Sequence, residues 1–256
     1  MEIEIEINKS IEQNADKYYE NAKKINKKIS RGKEVIKQFK EKLNNINVNK
    51  EKRDTKIQEK EKAQVKKEWY EKFRWFYSSE GFLCIGGKDA TTNEIIIKKH
   101  TEKEEFVAHT EMPGSPFFVI KADKKVPGKK TKEELAISTA SYSKAWKLGL
   151  SFADVFIVKG NQISKDVSLP KGSFMVKGKR ENHSSVLELG IGLLKSLQVM
   201  GGPIEAVKKH CEKFIVIKPG SFKNSELAKK IEKQLGIKNR LDDIIRVMPS
   251  GTSSLS

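Results

Sequence analysis

A glycine-rich turn followed by polar residues is the densest group of potentially reactive side chains in this sequence. The turn spans residues 86–89 (Gly-Gly-Lys-Asp), and Asn93 and Glu94 follow about one helical turn later. A turn of this kind that opens a helix directs backbone N–H groups at an anion, and Lys88 would add positive charge. The motifs GxxxxGK[ST] and GxGxxG are both absent. The sequence therefore predicts either a site for RNA phosphate or a turn in which glycine only permits a tight bend.

Asp89 and Glu94 raise a second possibility, a metal-dependent nuclease. Such an enzyme needs two or three carboxylates that converge on a metal, and spacing alone does not establish convergence. Asp89 is equally suited to the start of a helix, where the helix dipole favours negative charge. His100 and His109 lack metal-ligand spacing to another ligand. We therefore predict no metal and no cofactor, with both histidines hydrogen-bonded to backbone or RNA.

Basic residues near two later segments are further candidates for phosphate contacts. Lys165 follows Gln-Ile-Ser, and residues 177–180 read Lys-Gly-Lys-Arg after an apolar stretch. Glycine lets the backbone approach a phosphate, and Lys177, Lys179 and Arg180 would surround it. The alternative is the solvated end of a β-hairpin.

Composition limits the class of protein. The 256 residues include 51 Lys and Arg against 34 Asp and Glu, a formal net charge of +17. Nucleic acid is the commonest polyanion that balances such an excess. Cys84 and Cys211 are far apart, which argues against a disulfide scaffold or a thiolate zinc site. No apolar run approaches the roughly 20 residues that span a bilayer, and the acidic start is unlike a signal peptide, so we expect a cytoplasmic protein without a membrane partner.

The first quarter of the chain is predicted to form a helical arm. Strict alternation in residues 2–7 predicts a strand, and Asn8 or Ser10 is a suitable N-cap. Apolar residues spaced by three and four then predict a helix over residues 11–46. The asparagine-rich stretch 44–49 predicts a turn, and 50–67 a second charged helix. We therefore expect an antiparallel helical hairpin that forms a coiled-coil arm.

The rest of the chain is predicted to be globular. An aromatic stretch begins near residue 67 and indicates where a core starts. Predicted strands interleave with predicted helices, which favours an α/β class, with α+β possible, and a mixed sheet. The strands are expected at 81–85, 106–110, 117–122, 155–159, 174–177, 187–194 and 214–217, and the helices at 90–99, 131–146, 204–213 and 225–235. We divide the chain into an arm (1–66), a central domain (67–182) and a C-terminal α/β extension (183–256).

Several motifs, in order, resemble the NFACT-R domain of the NFACT family of RqcH- and NEMF-like proteins. They are KEWYEKFRWFYSSEGFLCIGGKDATTNEIIIKKH, AHTEMPGSPFFVIK, YSKAW, QISK and GSFMVKGKR. The resemblance covers residues 67–182. The arm is similar to the start of the family's middle coiled coil, and the tail resembles the segment after this domain in archaeal members.

The resemblance implies a role in ribosome-associated quality control during translation. Family members bind large ribosomal subunits that carry an obstructed peptidyl-tRNA, recruit tRNA, and extend the stalled chain without a template. NFACT-R is regarded as the RNA-binding domain. The NFACT-N and helix-hairpin-helix half, to which elongation belongs, has no counterpart in this sequence. We therefore expect a non-enzymatic module that binds tRNA and rRNA, cooperates with that half, and is able to self-associate through its arm.

These considerations give a set of candidate RNA-binding residues. The expected phosphate contacts are Lys88, Lys98, Lys99, His100, Lys165, Lys177, Lys179 and Arg180. Residues expected to read ribose or bases, or to hold the turns, are Asp89, Asn93, Glu94, His109 and Ser115. Two alternatives stay open: a metal-dependent RNA-processing enzyme at Asp89 and Glu94, and an arm that binds only protein partners.

Overall fold

The computed structural model describes residues 4–64, 68–123 and 125–256, including the side chains of all of these except 43–64. Two units are distinguished, Met1–Lys66 and Lys67–Ser256. The α/β class is confirmed by a mixture of helices and sheets. Among the described residues, no helix is both long and apolar enough to cross a membrane.

The first unit contains a single long helix, α1 (Ile11–Gln64). Ser10 caps it: its Oγ accepts from the N–H of Gln13 at 3.2 Å, and its own N–H donates to Gln13 Oε1 at 3.1 Å. The predicted hairpin is wrong, because the helix continues through residues 44–49. That stretch contains neither glycine nor proline, and asparagine costs a helix less than glycine does. The predicted strand at residues 2–7 is wrong for residues 4–7, which form no strand; residues 2 and 3 lie outside the described residues.

A six-stranded sheet forms the centre of the second unit. Its strands are β1 (Arg74–Tyr77), β2 (Leu83–Gly86), β3 (Phe106–Thr110), β4 (Phe118–Lys121), β5 (Phe152–Lys159) and β8 (Glu181–Val186). Their order across the sheet is β1-β2-β4-β3-β5-β8. β8 crosses position 182/183, where the sequence places the end of the central domain.

The prediction of a mixed sheet is wrong, since every pairing among the described strands is antiparallel. Helix α2 (Ala90–Lys99) joins β2 to β3, but β4 lies between those two strands. Helices α3 (Lys129–Ser141) and α4 (Lys144–Lys147) likewise join β4 to β5 across β3. Each helical crossover therefore skips a strand, and no parallel neighbours result.

The helix predicted over 131–146 is interrupted between α3 and α4. Ser143 Oγ donates to the carbonyl of Ala140 at 2.7 Å and accepts from the N–H of Ala145 at 3.1 Å. A serine that bonds to nearby backbone in this way competes with continued helix. The break turns Lys144 and Lys147 toward solvent, while Trp146 stays buried.

A second sheet comprises β9 (Leu189–Leu194), β10 (Val199–Gly202), β11 (Cys211–Lys223) and β12 (Thr252–Leu255). Its strand order is β10-β9-β11-β12. Helices α5 (Ile204–His210), α6 (Asn224–Leu235) and α7 (Leu241–Val247) pack with it. A short ribbon of β6 (Ile163–Ser164) and β7 (Met175–Val176) completes the unit.

One hydrophobic core joins the two sheets of the second unit. Phe76 and Phe118 from the first sheet and Ile191 and Met200 from the second are fully buried in the same cluster. Trp146 donates from its indole Nε1 to Ser253 Oγ at 3.1 Å, which links α4 to the last strand. Burial of each large apolar side chain contributes about 1.5–3 kcal/mol. The strands and turns that surround the site are therefore held by a shared core.

Candidate nucleic-acid interface

A cavity of about 750 Å³ opens on the second unit where its turns converge. Its lining is drawn mainly from residues 87–90, 113–117, 142–144 and 171–174, with Arg74, His109 and Arg180 from the strands and their ends. Basic side chains outnumber acidic ones in this lining: Arg74, Lys88, Lys144, Lys147, Lys171 and Arg180 against Asp89 and Glu111. The cavity is thus concave and positively charged.

The glycine-rich turn uses its backbone donors internally. The N–H of Gly87 donates to the carbonyl of Phe117 at 3.1 Å. Those of Lys88 and Asp89 both donate to Thr92 Oγ1, at 2.8 and 2.9 Å. A Cβ added at Gly87 would lie 1.9 Å from Asn93 Oδ1, so the glycine permits a close approach. These backbone donors are therefore occupied within the turn, which favours the steric role of the glycine over a phosphate cradle. A phosphate contact by Lys88 stays a prediction.

Asp89 and Glu94 also have partners within the chain. Asp89 caps α2 by accepting from the N–H of Thr92 at 2.8 Å, and bonds from Thr92 lower the pKa of Asp89 below its ordinary value. Glu94 pairs with Lys98 at 2.6 Å and accepts from the N–H of Gly172 at 3.1 Å. The hydrogen bond from Lys98 is the main cause of a lowered pKa of Glu94.

These contacts give the nuclease hypothesis no support. The two carboxylates are turned to separate partners, a helix cap and a loop. Across residues 4–64, 68–123 and 125–256, no three His, Cys, Asp or Glu side chains gather in a way that could hold a metal ion.

Asn93, Ser115 and His109 brace the turn between β3 and β4. Buried Asn93 donates to the carbonyl of Ser115 at 3.2 Å and accepts from the N–H of Phe117 at 3.1 Å. Ser115 Oγ donates to the carbonyl of Met112 at 2.8 Å. His109 lies 3.2 Å from the same Ser115 carbonyl, is stacked on Phe117 at 4.1 Å, and has its pKa lowered by burial. Their polar groups are thus committed mainly to the turn.

Lys165 holds a neighbouring loop. Its Nζ donates to the carbonyls of Pro170 at 2.6 Å and Ser173 at 3.0 Å. A Cβ added at Gly172 would lie 2.7 Å from Ala90 Cα, so this loop packs closely on the start of α2. The arrangement places Lys171, rather than Lys165, at the cavity.

In the Lys-Gly-Lys-Arg segment, Arg180 lines the cavity, whereas Lys177 and Lys179 lie outside the lining on the protein surface. Gln162 Nε2 donates to the carbonyls of Lys177 and Lys179, each at 2.9 Å, while both lysine side chains are exposed. Arg180 lines the cavity, pairs with Glu111, and lies 4.5 Å from the centre of the Phe156 ring. This segment can present cations beside the cavity, as a phosphate-contacting rim requires.

The predicted residues Lys98, Lys99 and His100 lie at the end of α2, away from the cavity lining. His100 caps the helix and is stacked on Trp69 with ring centres 4.7 Å apart. Burial lowers the pKa of His100 below its ordinary value, which disfavours the protonated form. Of the predicted residues, the cavity brings together only Lys88, Asp89, Asn93, His109, Ser115 and Arg180.

Four further basic residues, which the sequence motifs did not single out, also line the cavity: Arg74, Lys144, Lys147 and Lys171. Half-buried Arg74 lies over the Tyr142 ring at 4.1 Å and donates to the carbonyl of Met248 at 3.3 Å. None of these cations has a carboxylate partner within the described part of the chain. In the sequence, the one indication of these cations was that Lys144 and Lys147 follow a capping serine at a spacing of three, which places both on one face of a helix.

The sequence is similar to that of a known domain family and to several known proteins. Residues 72–178 match the family described as "NFACT protein RNA binding domain". The archaeal Rqc2 homolog aRqcH of Methanocaldococcus jannaschii is 38% identical over 206 residues, which is 76% of this chain and 30% of that protein.

Eukaryotic relatives match over shorter stretches. The ribosome quality control complex subunit NEMF homolog of Drosophila melanogaster is 36% identical over 51% of this chain and 14% of its own length. The human subunit NEMF is 33% identical over 65% of this chain and 16% of its own length. The chain therefore spans less than a third of the length of these curated relatives. With the motifs, the matched domain and these relatives in agreement, the chain belongs to the NFACT family.

Proposed function

We propose that the chain is an RNA-binding module of a ribosome-associated quality control factor, and that the basic cavity is part of its RNA interface. The observation that carries the proposal is the group of cavity cations without a carboxylate partner, Arg74, Lys144, Lys147 and Lys171. Cations left unpaired by the protein are available to phosphate. The net charge of +17 favours a polyanionic partner in the same way.

The relatives narrow the context of the proposal. The eukaryotic relatives are named as subunits of the ribosome quality control complex, and the archaeal relative is named as an Rqc2 homolog. We infer that this chain acts in the cytoplasm on large ribosomal subunits that carry stalled peptidyl-tRNA, with tRNA or rRNA as the contacted RNA. The family's NFACT-N and helix-hairpin-helix half is the partner to which we assign tail elongation. The module itself binds RNA and is not an enzyme; support comes from Asp89 and Glu94, whose carboxylates serve a helix cap and a loop.

A second candidate function rests on α1. Large apolar side chains on this helix are exposed, among them Tyr19 at 80% and Phe39 at 63%. Exposed apolar residues on a charged helix suit a partner helix. An arm that binds protein partners, or a second copy of this chain, is therefore the alternative to RNA binding as the main activity.

Binding across a salt series tests the main proposal. The full chain would be titrated with deacylated tRNA and with purified large ribosomal subunits, beside a variant in which Lys177, Lys179 and Arg180 are changed to alanine. The matched control changes Lys208, Lys209 and Lys213, which are exposed cations outside the cavity lining. We expect binding near physiological salt that weakens, with a shallower salt slope, in the first variant.

The two outcomes are distinct. A loss confined to the first variant supports an RNA interface at this side of the unit. Binding no tighter than that of an equally basic unrelated protein, or equal losses in both variants, overturns the proposal and favours protein partners of α1.

A further inference from the structure

Arg74 occupies an unusual position for a cation. It lies on β1, half-buried, with its guanidinium 4.1 Å from the centre of the Tyr142 ring. It donates a hydrogen bond to the carbonyl of Met248 at 3.3 Å, and it forms no ion pair in the described ranges. A desolvated guanidinium without a carboxylate is costly unless an anion completes its surroundings. The cavity wall at Arg74 is therefore suited to an anionic ligand.

Other cations surround the same space. Lys88 lines the cavity and makes no ion pair in the described ranges, and its Nζ donates to the carbonyl of Glu71 at 3.3 Å. Burial lowers the pKa of Lys88, and the nearby charges of Arg246 and Arg74 lower it further. Exposed Lys144 and Lys147 stand on α4, which also faces the cavity. A phosphate among these side chains would relieve their mutual repulsion.

The cavity is also shaped for a small group rather than for a double helix. Its volume of about 750 Å³ is in the range of small-ligand pockets. Turns such as residues 113–117 and 171–174 form its walls. In duplex RNA, the base edges and backbone lie within a regular stacked helix, whereas nucleotides of loops, bulges and ends can be extruded.

We propose that this cavity receives a single unpaired RNA nucleotide, with its phosphate against Arg74 and Lys144 or Lys147 at the mouth. The inference rests on the proposed function and specifies which feature of RNA is recognised. The walls offer the base an apolar surface in Pro113, Pro116 and the half-buried Phe174. Because the main charged contacts are to phosphate, this pocket selects unpaired structure more than base identity.

Binding of three short RNAs tests the inference. They are an unstructured single strand, a blunt duplex, and the same duplex with one bulged nucleotide, each titrated into the full chain by fluorescence anisotropy near physiological salt. The variants are Arg74→Gln and the exposed double change Lys144→Ala with Lys147→Ala. The matched control is Lys208→Ala with Lys209→Ala, which removes equal charge outside the cavity lining. Circular dichroism and thermal unfolding verify that each variant folds.

We expect the bulged and single-stranded RNAs to bind more tightly than the blunt duplex. Both cavity variants should lose about tenfold or more of that affinity, because a lost charge-assisted hydrogen bond has an effect of this size. The double lysine variant keeps the test decisive if Arg74→Gln fails to fold. Equal affinity for all three RNAs, or no larger loss in the cavity variants than in the control, overturns the nucleotide pocket while leaving RNA binding in place. Absence of RNA binding beyond that of an equally basic protein overturns the proposed function as well.

Discussion

Two groups of polar side chains, in the cavity lining and next to it, have different partners. The braced side is defined as Asp89, Asn93 and Ser115 of the lining together with Glu94 and Lys165, which bond to the loop at residues 170–173. Its side chains bond to nearby backbone or to a neighbouring side chain. On the open side, defined as Arg74, Lys144, Lys147 and Lys171, cations lack carboxylate partners within the described residues. The braced side was easier to find from motifs, and the open side is better suited to a ligand.

The difference shows how motif residues should be interpreted. A dense polar motif indicates that a local structure must be fixed, and backbone groups are often what it fixes. A ligand instead needs groups whose hydrogen-bonding and charge capacity is left over. Substitutions on the braced side should therefore affect stability most, and those on the open side should affect RNA affinity.

The largest expected effect is on stability, from Asn93→Ala. This change leaves the buried N–H of Phe117 without its partner and removes the Asn93 hydrogen bond to the carbonyl of Ser115, which keeps His109 at 3.2 Å. We expect the free energy of unfolding to fall by about 2–4 kcal/mol, since the unpaired N–H costs roughly 1–3 kcal/mol and the lost hydrogen bond to Ser115 about 1 kcal/mol more. Denaturant unfolding measures this.

Thr91→Ala is the matched control for Asn93→Ala, because Thr91 is exposed on the same helix. Its effect should stay within about 0.5 kcal/mol. A loss below about 1 kcal/mol for Asn93→Ala would contradict its bracing role and would return Asn93 to the ligand-binding candidates.

A smaller effect is expected from Asp89→Ala, which removes the cap of α2. Loss of such a cap lowers the free energy of unfolding by about 1 kcal/mol at neutral pH. Because the fold holds the pKa of Asp89 below its ordinary 3.8, the unfolded chain takes up the proton first as the pH falls. The stabilisation is therefore complete above that ordinary value and disappears as the pH falls through the lower folded-state pKa. Unfolding curves of both proteins from pH 7 to pH 2 would follow it.

Asp89→Asn and Asp154→Ala complete this test. Asparagine also caps helices, so Asp89→Asn should keep most of the stability at neutral pH. Asp154 is exposed on β5, and its loss should matter little. If Asp89→Ala abolished a magnesium-dependent RNA cleavage by the chain, the enzyme alternative would replace the interpretation of Asp89 as a cap.

Elements with local signals were predicted well. The predicted bounds of α2 and β3 agree with Ala90–Lys99 and Phe106–Thr110, because Asp89 caps the helix and the apolar run Phe-Val-Ala begins the strand. β10 (Val199–Gly202) was missed, since half of it is glycine and its burial depends on neighbouring strands. The long α1 was misread as a hairpin because asparagines suggested a turn that the flanking helix formers override.

The candidate site was predicted only in part, for a related reason. Lys88 and Asp89 stand in a recognisable motif, and the cavity does include them. The setting of Arg74 depends on Tyr142 and Met248, which are far along the chain and give no local signal. Whether a cation is paired or unpaired is a tertiary property, so sequence spacing identifies charge without indicating its availability.

The smallest effect, on RNA affinity, compares two lysines from one loop, Lys171 and Lys165. Lys171 lines the cavity without an ion pair in the described ranges, whereas Lys165 is bonded to the carbonyls of Pro170 and Ser173. Lys171→Ala should weaken tRNA binding about threefold to tenfold and reduce the salt slope by about one, as expected for one lost phosphate contact. Lys165→Met should leave the slope unchanged and instead lower the thermal unfolding midpoint. If Lys165→Met reduced the salt slope and Lys171→Ala did not, Lys165 would have to break its hydrogen bonds to the loop and bind RNA phosphate instead. The division between the braced and open sides would then describe only the RNA-free protein.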